Sequence, residues 1–152
     1  MNIKRLTVIL IGLIIVTGLV AHKQNKRYRP KNLDEAITQL DVVYTNKYKK
    51  EIFDMSESEY TTKSHYSTGL WIRYNWRLWQ SKGLSKYFND LGIYHPNDMT
   101  DIILRCYYRH LHHQAYELNK QIKHYQDRRK KFQKPGEKTK TDSMLLKNKY
   151  LN

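Results

Sequence analysis

Seven histidines, fourteen carboxylates and one thiol are the side chains from which this chain could assemble a reactive centre. His110, His112 and His113 stand together, with His95 and His124 farther off. Only His110 and His113 share a helical face, and the Glu-flanked histidine pair of a zinc hydrolase does not occur. They read as surface histidines near a helix end, where positive charge is favoured. His95, Asp98 and Asp101 offer a more pointed arrangement: an imidazole and two carboxylates around a turn, suited to acid–base work or a metal in an exported hydrolase. The same spacing serves capping, with Asn97 or Asp98 accepting the first-turn amides of a helix and Asp101 complementing its dipole. Cys106 falls on an apolar stripe, no Ser or Thr has a spaced base and orienting acid, and no Gly-rich phosphate loop is present. The sequence therefore assigns no catalytic residue, no metal ligand and no cofactor.

The densest unusual cluster is GLWIRYNWRLW, residues 69 to 79. Trp71, Arg73, Asn75, Trp76 and Trp79, joined by His95 and Asp98, form the candidate binding surface: indole faces stack on a ligand or peptide while Arg73 pairs with an acidic group. The competing reading places the tryptophans at the centre of a small bundle and pairs Arg73 internally with Asp98 or Asp101. A helix here is apolar on two sides, with Leu70, Tyr74 and Leu78 on one stripe and Ile72, Trp76 and Trp79 on another.

The elements that must hold these residues are all helical. Asn32 and Glu35 have capping-box spacing, and Leu33, Ala36, Ile37, Leu40, Val43 and Tyr44 then recur at helical intervals, which predicts a helix over about 33–45. A short piece follows at 49–53. Ser56 with Glu59 opens a stretch that runs through His65 into the tryptophan cluster. Leu84, Tyr87, Phe88 and Leu91 make a short helix stopped by Gly92; Pro96 stands at the start of the next, whose stripe is Met99, Ile102, Ile103, Cys106, Tyr107 and Leu111; Ala115, Leu118, Ile122 and Tyr125 form one more. No strand-type alternation and no hairpin signal appears. The expected fold is all-α, a compact bundle of four to six helices over residues 32–127, preceded by an apolar helix and followed by a disordered basic tail.

The charge lies at the ends. The chain of 152 residues is +14 overall, yet residues 32–127 are balanced, while 1–31 and 128–152 each carry +7. A duplex-binding domain would gather its phosphate-neutralising side chains on the folded part, so a balanced middle argues against specific nucleic-acid binding. The tail, RRKKFQKPGEKTKTDSMLLKNKYLN, leaves a salt-dependent, non-specific contact with nucleic acid as an alternative. Between the two bases Lys4 and Arg5 and the cluster Lys23, Lys26, Arg27, Arg29 and Lys31 run sixteen uncharged residues, 6–21. As a helix these span about 24 Å, short of the roughly 30 Å of bilayer hydrocarbon unless Ile3 and snorkelling lysines extend them. Residues 1–22 are thus a signal anchor or a signal peptide and 23–31 a basic linker. Leu19 makes a poor cleavage site, and the heavier basic flank places the body on the cytoplasmic side of a single-pass anchor. Export to the periplasm or cell exterior after cleavage is the alternative.

The pairing of GLWIRYNWRLW with LSKYFNDLGIYHPNDMTDIIL resembles an uncharacterised bacterial family, the domain of unknown function numbered 6794, whose pattern is close to G-W-I-R-N-N-W-G-L-W followed by L-G-I-x-H-P-D-D-M-S-x-I-I-L. The likeness covers about residues 31 to 120. The chain departs from it at Tyr74, where the pattern has Asn, at Arg77, where it has Gly, at Asn97, where it has Asp, and at Thr100, where it has Ser. The lost acid weakens any cation site in the HPND turn. The resemblance implies a small helical domain near an export signal and no activity. The functional expectation is a non-enzymatic, membrane-tethered helical interaction or accessory module that meets lipid through residues 6–21 and an unidentified protein partner, with no small-molecule substrate identified.

Overall fold

A computed structural model describes residues 28–132; the apolar segment 6–21 and the tail beyond Phe132 lie outside the described residues. Seven α-helices and no strand occupy the described residues: α1 (Leu33–Val43), α2 (Asn46–Phe53), α3 (Glu57–His65), α4 (Thr68–Asn75), α5 (Leu84–Asp90), α6 (Pro96–Leu111) and α7 (Leu118–Phe132). Among them no helix is long and apolar enough to cross a membrane.

α6 is the axis, and every other helix packs on it. Ten of its sixteen residues are buried, Met99, Ile102, Ile103, Cys106 and Tyr107 among them, as the periodicity predicts. The others each offer one stripe: Leu33, Ala36, Ile37 and Leu40 from α1, Ile52 from α2, Tyr60 from α3, Ile72 from α4, Leu84 and Phe88 from α5, Ile122 and Tyr125 from α7. Each full burial contributes about 1.5–3 kcal/mol for the larger side chains.

Short polar caps set the boundaries. The Asn32 carboxamide accepts from the Glu35 amide at 2.9 Å, while the Glu35 carboxylate turns back to the Lys31 amide, also at 2.9 Å. α1 ends two residues before the expected 45 because Thr45 starts α2, its hydroxyl accepting from the Tyr48 amide. Ser56 caps α3 in the same way. Gly92, at φ +76°, closes α5 as expected.

The stretch read as one helix from Ser56 into the tryptophan cluster breaks at Ser67, so the helices number one more than the expected maximum. Two contacts fix the break. Arg73 Nη2 donates to the His65 carbonyl at 3.2 Å, capping α3. Gly69 lets α4 approach closely: a Cβ there would stand 3.0 Å from Thr100 Cγ2 and 3.1 Å from the Ser64 carbonyl. At the other end, α7 starts at Leu118 rather than Ala115 and continues through Phe132, so Arg128 and Arg129, counted with the tail by their charge, are helical.

Candidate functional site

The seven residues of the predicted surface divide between interior and exterior. Ile72 and Trp76 face inward; Trp76 is 2% exposed, its Nε1 has no acceptor, and Trp71 packs edge-on against it. Arg73 is buried too, with Nη1 unpartnered, and its contact is the α3 carboxyl terminus rather than Asp98 or Asp101, which corrects the expected internal ion pair. A guanidinium at a helix carboxyl terminus meets its negative dipole end and an orphan carbonyl, a structural task. Asn75 donates to the Trp71 carbonyl, and its own carbonyl accepts from Arg29 Nε at 3.3 Å. Trp79, just past α4, is 60% exposed and meets the edge of the His95 ring.

His95, rather than Asn97 or Asp98, caps α6: its Nδ1 accepts from the Asn97 amide at 3.1 Å, with Pro96 at the first helical position. One edge of the ring reaches solvent, yet burial lowers its pKa; Asp98 opposes the shift, while Arg129, Arg128 and Arg73 add to it. The neutral imidazole that results is the form able to accept. Asp98, freed from capping, sits beneath with its side chain 5% exposed and is gripped by Arg128 Nη2 on one oxygen and Arg129 Nε, at 3.0 Å, on the other. Both guanidiniums come from α7, and Arg128 also lies 4.8 Å over the Tyr125 ring. By charge alone those arginines group with the basic tail. Their i, i+7 and i, i+3 relation to Ile122 and Tyr125, which extends the last stripe, was the available signal.

One turn along α6, Asp101 is not a dipole partner either. Its Oδ1 lies 2.9 Å from His65 Nδ1 and its Oδ2 accepts from the Tyr125 hydroxyl at 3.5 Å. This pair lines an open cleft of about 280 Å³ with Thr61, Thr62, Tyr66 and Arg105. His65 and Asp101 are 36 residues apart, and nothing in the local sequence joins them. A carboxylate that orients an imidazole is a component of acid–base sites. Here the Thr61 hydroxyl in the cleft is spent on the carbonyls of Glu57 and Ser58. Arg105 is held by Glu57, which also takes Arg109. Burial pushes the Cys106 thiol up to about 12, so it carries no thiolate near neutral pH. His112 stacks between Phe53 and Tyr108. Among the described residues no three His, Cys, Asp or Glu side chains converge as a metal site.

Beside the cleft runs an apolar stripe that nothing covers among the described residues. Tyr66, Leu70 and Tyr74 repeat every four residues along the α3–α4 corner and α4, and are 82%, 45% and 68% exposed. Tyr66 belongs to both stripe and cleft.

The family described as Domain of unknown function (DUF6794) matches residues 29–111. That range takes in α1 through α6 but stops short of α7 and both arginines that hold Asp98. No curated protein and no solved structure matches the chain.

Proposed function

As the chain belongs to DUF6794, a family whose description carries no activity, we propose from its own geometry that it is a membrane-tethered helical interaction module without catalysis. The observation that carries this is the group Tyr66, Leu70 and Tyr74, three large side chains open to solvent at the α3–α4 corner and along α4, while Ile72 and Arg73 on the other side of α4 are packed into the core. Leu70 and Tyr74 at i and i+4 on α4, extended by Tyr66 at the corner before it, present an apolar patch of the kind that the apolar face of a partner helix covers. The polar cleft at its Tyr66 end supplies hydrogen-bonding groups, His65 and Asp101, that would fix the register of such a partner. The tether is supported by the uncharged run 6–21 between basic clusters.

The test uses the full chain in its native membrane. A photoreactive phenylalanine analogue at position 66 is expected to give one dominant protein adduct, absent when the analogue replaces exposed Lys47 on α2. Leu70→Glu with Tyr74→Glu should abolish that adduct and leave the midpoint of thermal unfolding nearly unchanged, since surface substitutions away from caps and ion pairs are worth within about 0.5 kcal/mol. Equal labelling from positions 66 and 47 would refute the interaction face. Release of the uncleaved chain by alkaline carbonate would refute the tether.

A further inference from the structure

We propose that the loop 76–83 is the face with which the domain lies on an anionic lipid surface, Trp79 entering the interface and Arg77 and Lys82 meeting lipid phosphates; this rests on the tether proposed above. The loop is held at both ends by the chain that leads to the apolar segment. Arg29 Nε donates to the Asn75 carbonyl at 3.3 Å, and the Pro30 carbonyl stands 3.6 Å from where a Gly83 Cβ would be. From Ala21 to Arg29 the backbone reaches at most about 28 Å. Whatever holds residue 21 in a bilayer therefore holds this loop near its surface.

The side chains at that place suit the boundary. Leu78 is buried and pins the middle of the loop, while its sequence neighbours Arg77 and Trp79 are both exposed. An indole with an apolar body and an N–H donor is favoured at the level of lipid headgroups. Arg77 and Lys82 are exposed and have no ion-pair partner among the described residues. Glu35 is held by Tyr28 and Lys31, and Asp98 by Arg128 and Arg129. Lys23, Lys26 and Arg27 stand in the sequence just before it.

Arg77 adds an independent sign. It has φ +53° at the left-handed position of the turn that ends α4, where the Leu78 amide bonds to the Arg73 carbonyl at 3.1 Å and the Arg77 amide to the Tyr74 carbonyl at 3.3 Å. Glycine fills that position without steric cost, whereas an L side chain is strained there. His113 and Glu117 hold the same conformation, at φ +54° and +48°, but Arg77 is the one of the three that stands beside an exposed tryptophan in this loop.

The full chain reconstituted in vesicles brominated on the upper acyl chain tests this, with phosphatidylcholine alone compared with a mixture containing phosphatidylglycerol. Flotation reports the tether, and the difference between wild type and Trp79→Phe isolates the Trp79 emission. The expected result is flotation with both vesicles but quenching of Trp79 only in the anionic ones, weakened by high salt. Arg77→Gly and Lys82→Ala should each lower the docked-to-undocked ratio about fivefold. Arg77→Gly should at the same time raise Tm by about 5 °C, a gain that no destabilised variant would show. A floating chain with Trp79 unquenched in both vesicles, as a protein-covered Trp79 would also give, overturns the lipid face and leaves the tether standing. Equal quenching in both overturns the role of the charges. A chain that does not float overturns the tether and this inference with it.

Discussion

Asp98 and Asp101 are the same residue type one turn apart on α6, and they differ in almost everything else. Asp98 is enclosed and divided between two guanidiniums of α7, an interaction that ties the last helix to the first turn of the central one. Asp101 opens on a cleft and orients an imidazole from α3. A carboxylate buried with its countercharges is part of the architecture, whereas a partly exposed one that lines a cleft beside a histidine keeps lone pairs within reach of a ligand. Residue type and spacing are identical inputs; the neighbours brought by distant elements decide the role.

The comparison breaks if the two positions respond alike. Asp98→Ala leaves two arginines facing a buried gap and is expected to cost about 3 kcal/mol, at the low end for a buried pair because both guanidiniums reach water. Urea unfolding followed by circular dichroism reads this as a lower midpoint. Asp101→Asn is expected to cost about 1 kcal/mol, since the amide keeps a hydrogen bond to His65 or Tyr125. An Asp101 effect equal to that of Asp98 would make the cleft a structural pair and remove it from the proposed interface.

A smaller effect sharpens the contrast through pH. His95 has a folded-state pKa below its ordinary value of 6.5, so between the two values the unfolded chain binds a proton that the folded chain refuses. Its contribution is fully present above about pH 6.5 and is lost as the pH falls toward the folded value. The stability of wild type minus that of His95→Asn should therefore decline on acidification from pH 7 to 5. A difference that rises on acidification would mean that Asp98 outweighs burial and the three arginines at this ring.

Much of the fold is legible in the chain because its signals are local. The stripe of α6, the caps at Asn32 and Ser56, the stop at Gly92 and Pro96 at the first helical position each depend on residues within one or two turns. The break between α3 and α4 is different. Glycine at 69 is visible, but its task, admitting Thr100 at van der Waals distance, depends on a helix that begins 27 residues later. The candidate sites divide in the same way. Tryptophan and arginine at 71–79 mark an unusual helix, yet their periodicity serves both a core and a surface, and only packing assigns Trp76 inward and Trp79 outward. Asn97 and Asp98 are reasonable caps by type; His95 takes that place because its Nδ1 is already within reach of the Asn97 amide while Asp98 turns inward to the arginines.

The sequence by itself determined the helical class, the order of most elements and the placing of net charge at the two ends, because propensity, capping and 3.6-residue periodicity act over a few residues and charge adds without regard to fold. Tertiary structure alone decided which carboxylate became a strut and which a cleft wall, that His65 would meet Asp101, and that two arginines of an apparent tail would anchor α7. Those outcomes depend on directional contacts between side chains some 30 residues apart, at distances near 3 Å, which no local pattern encodes.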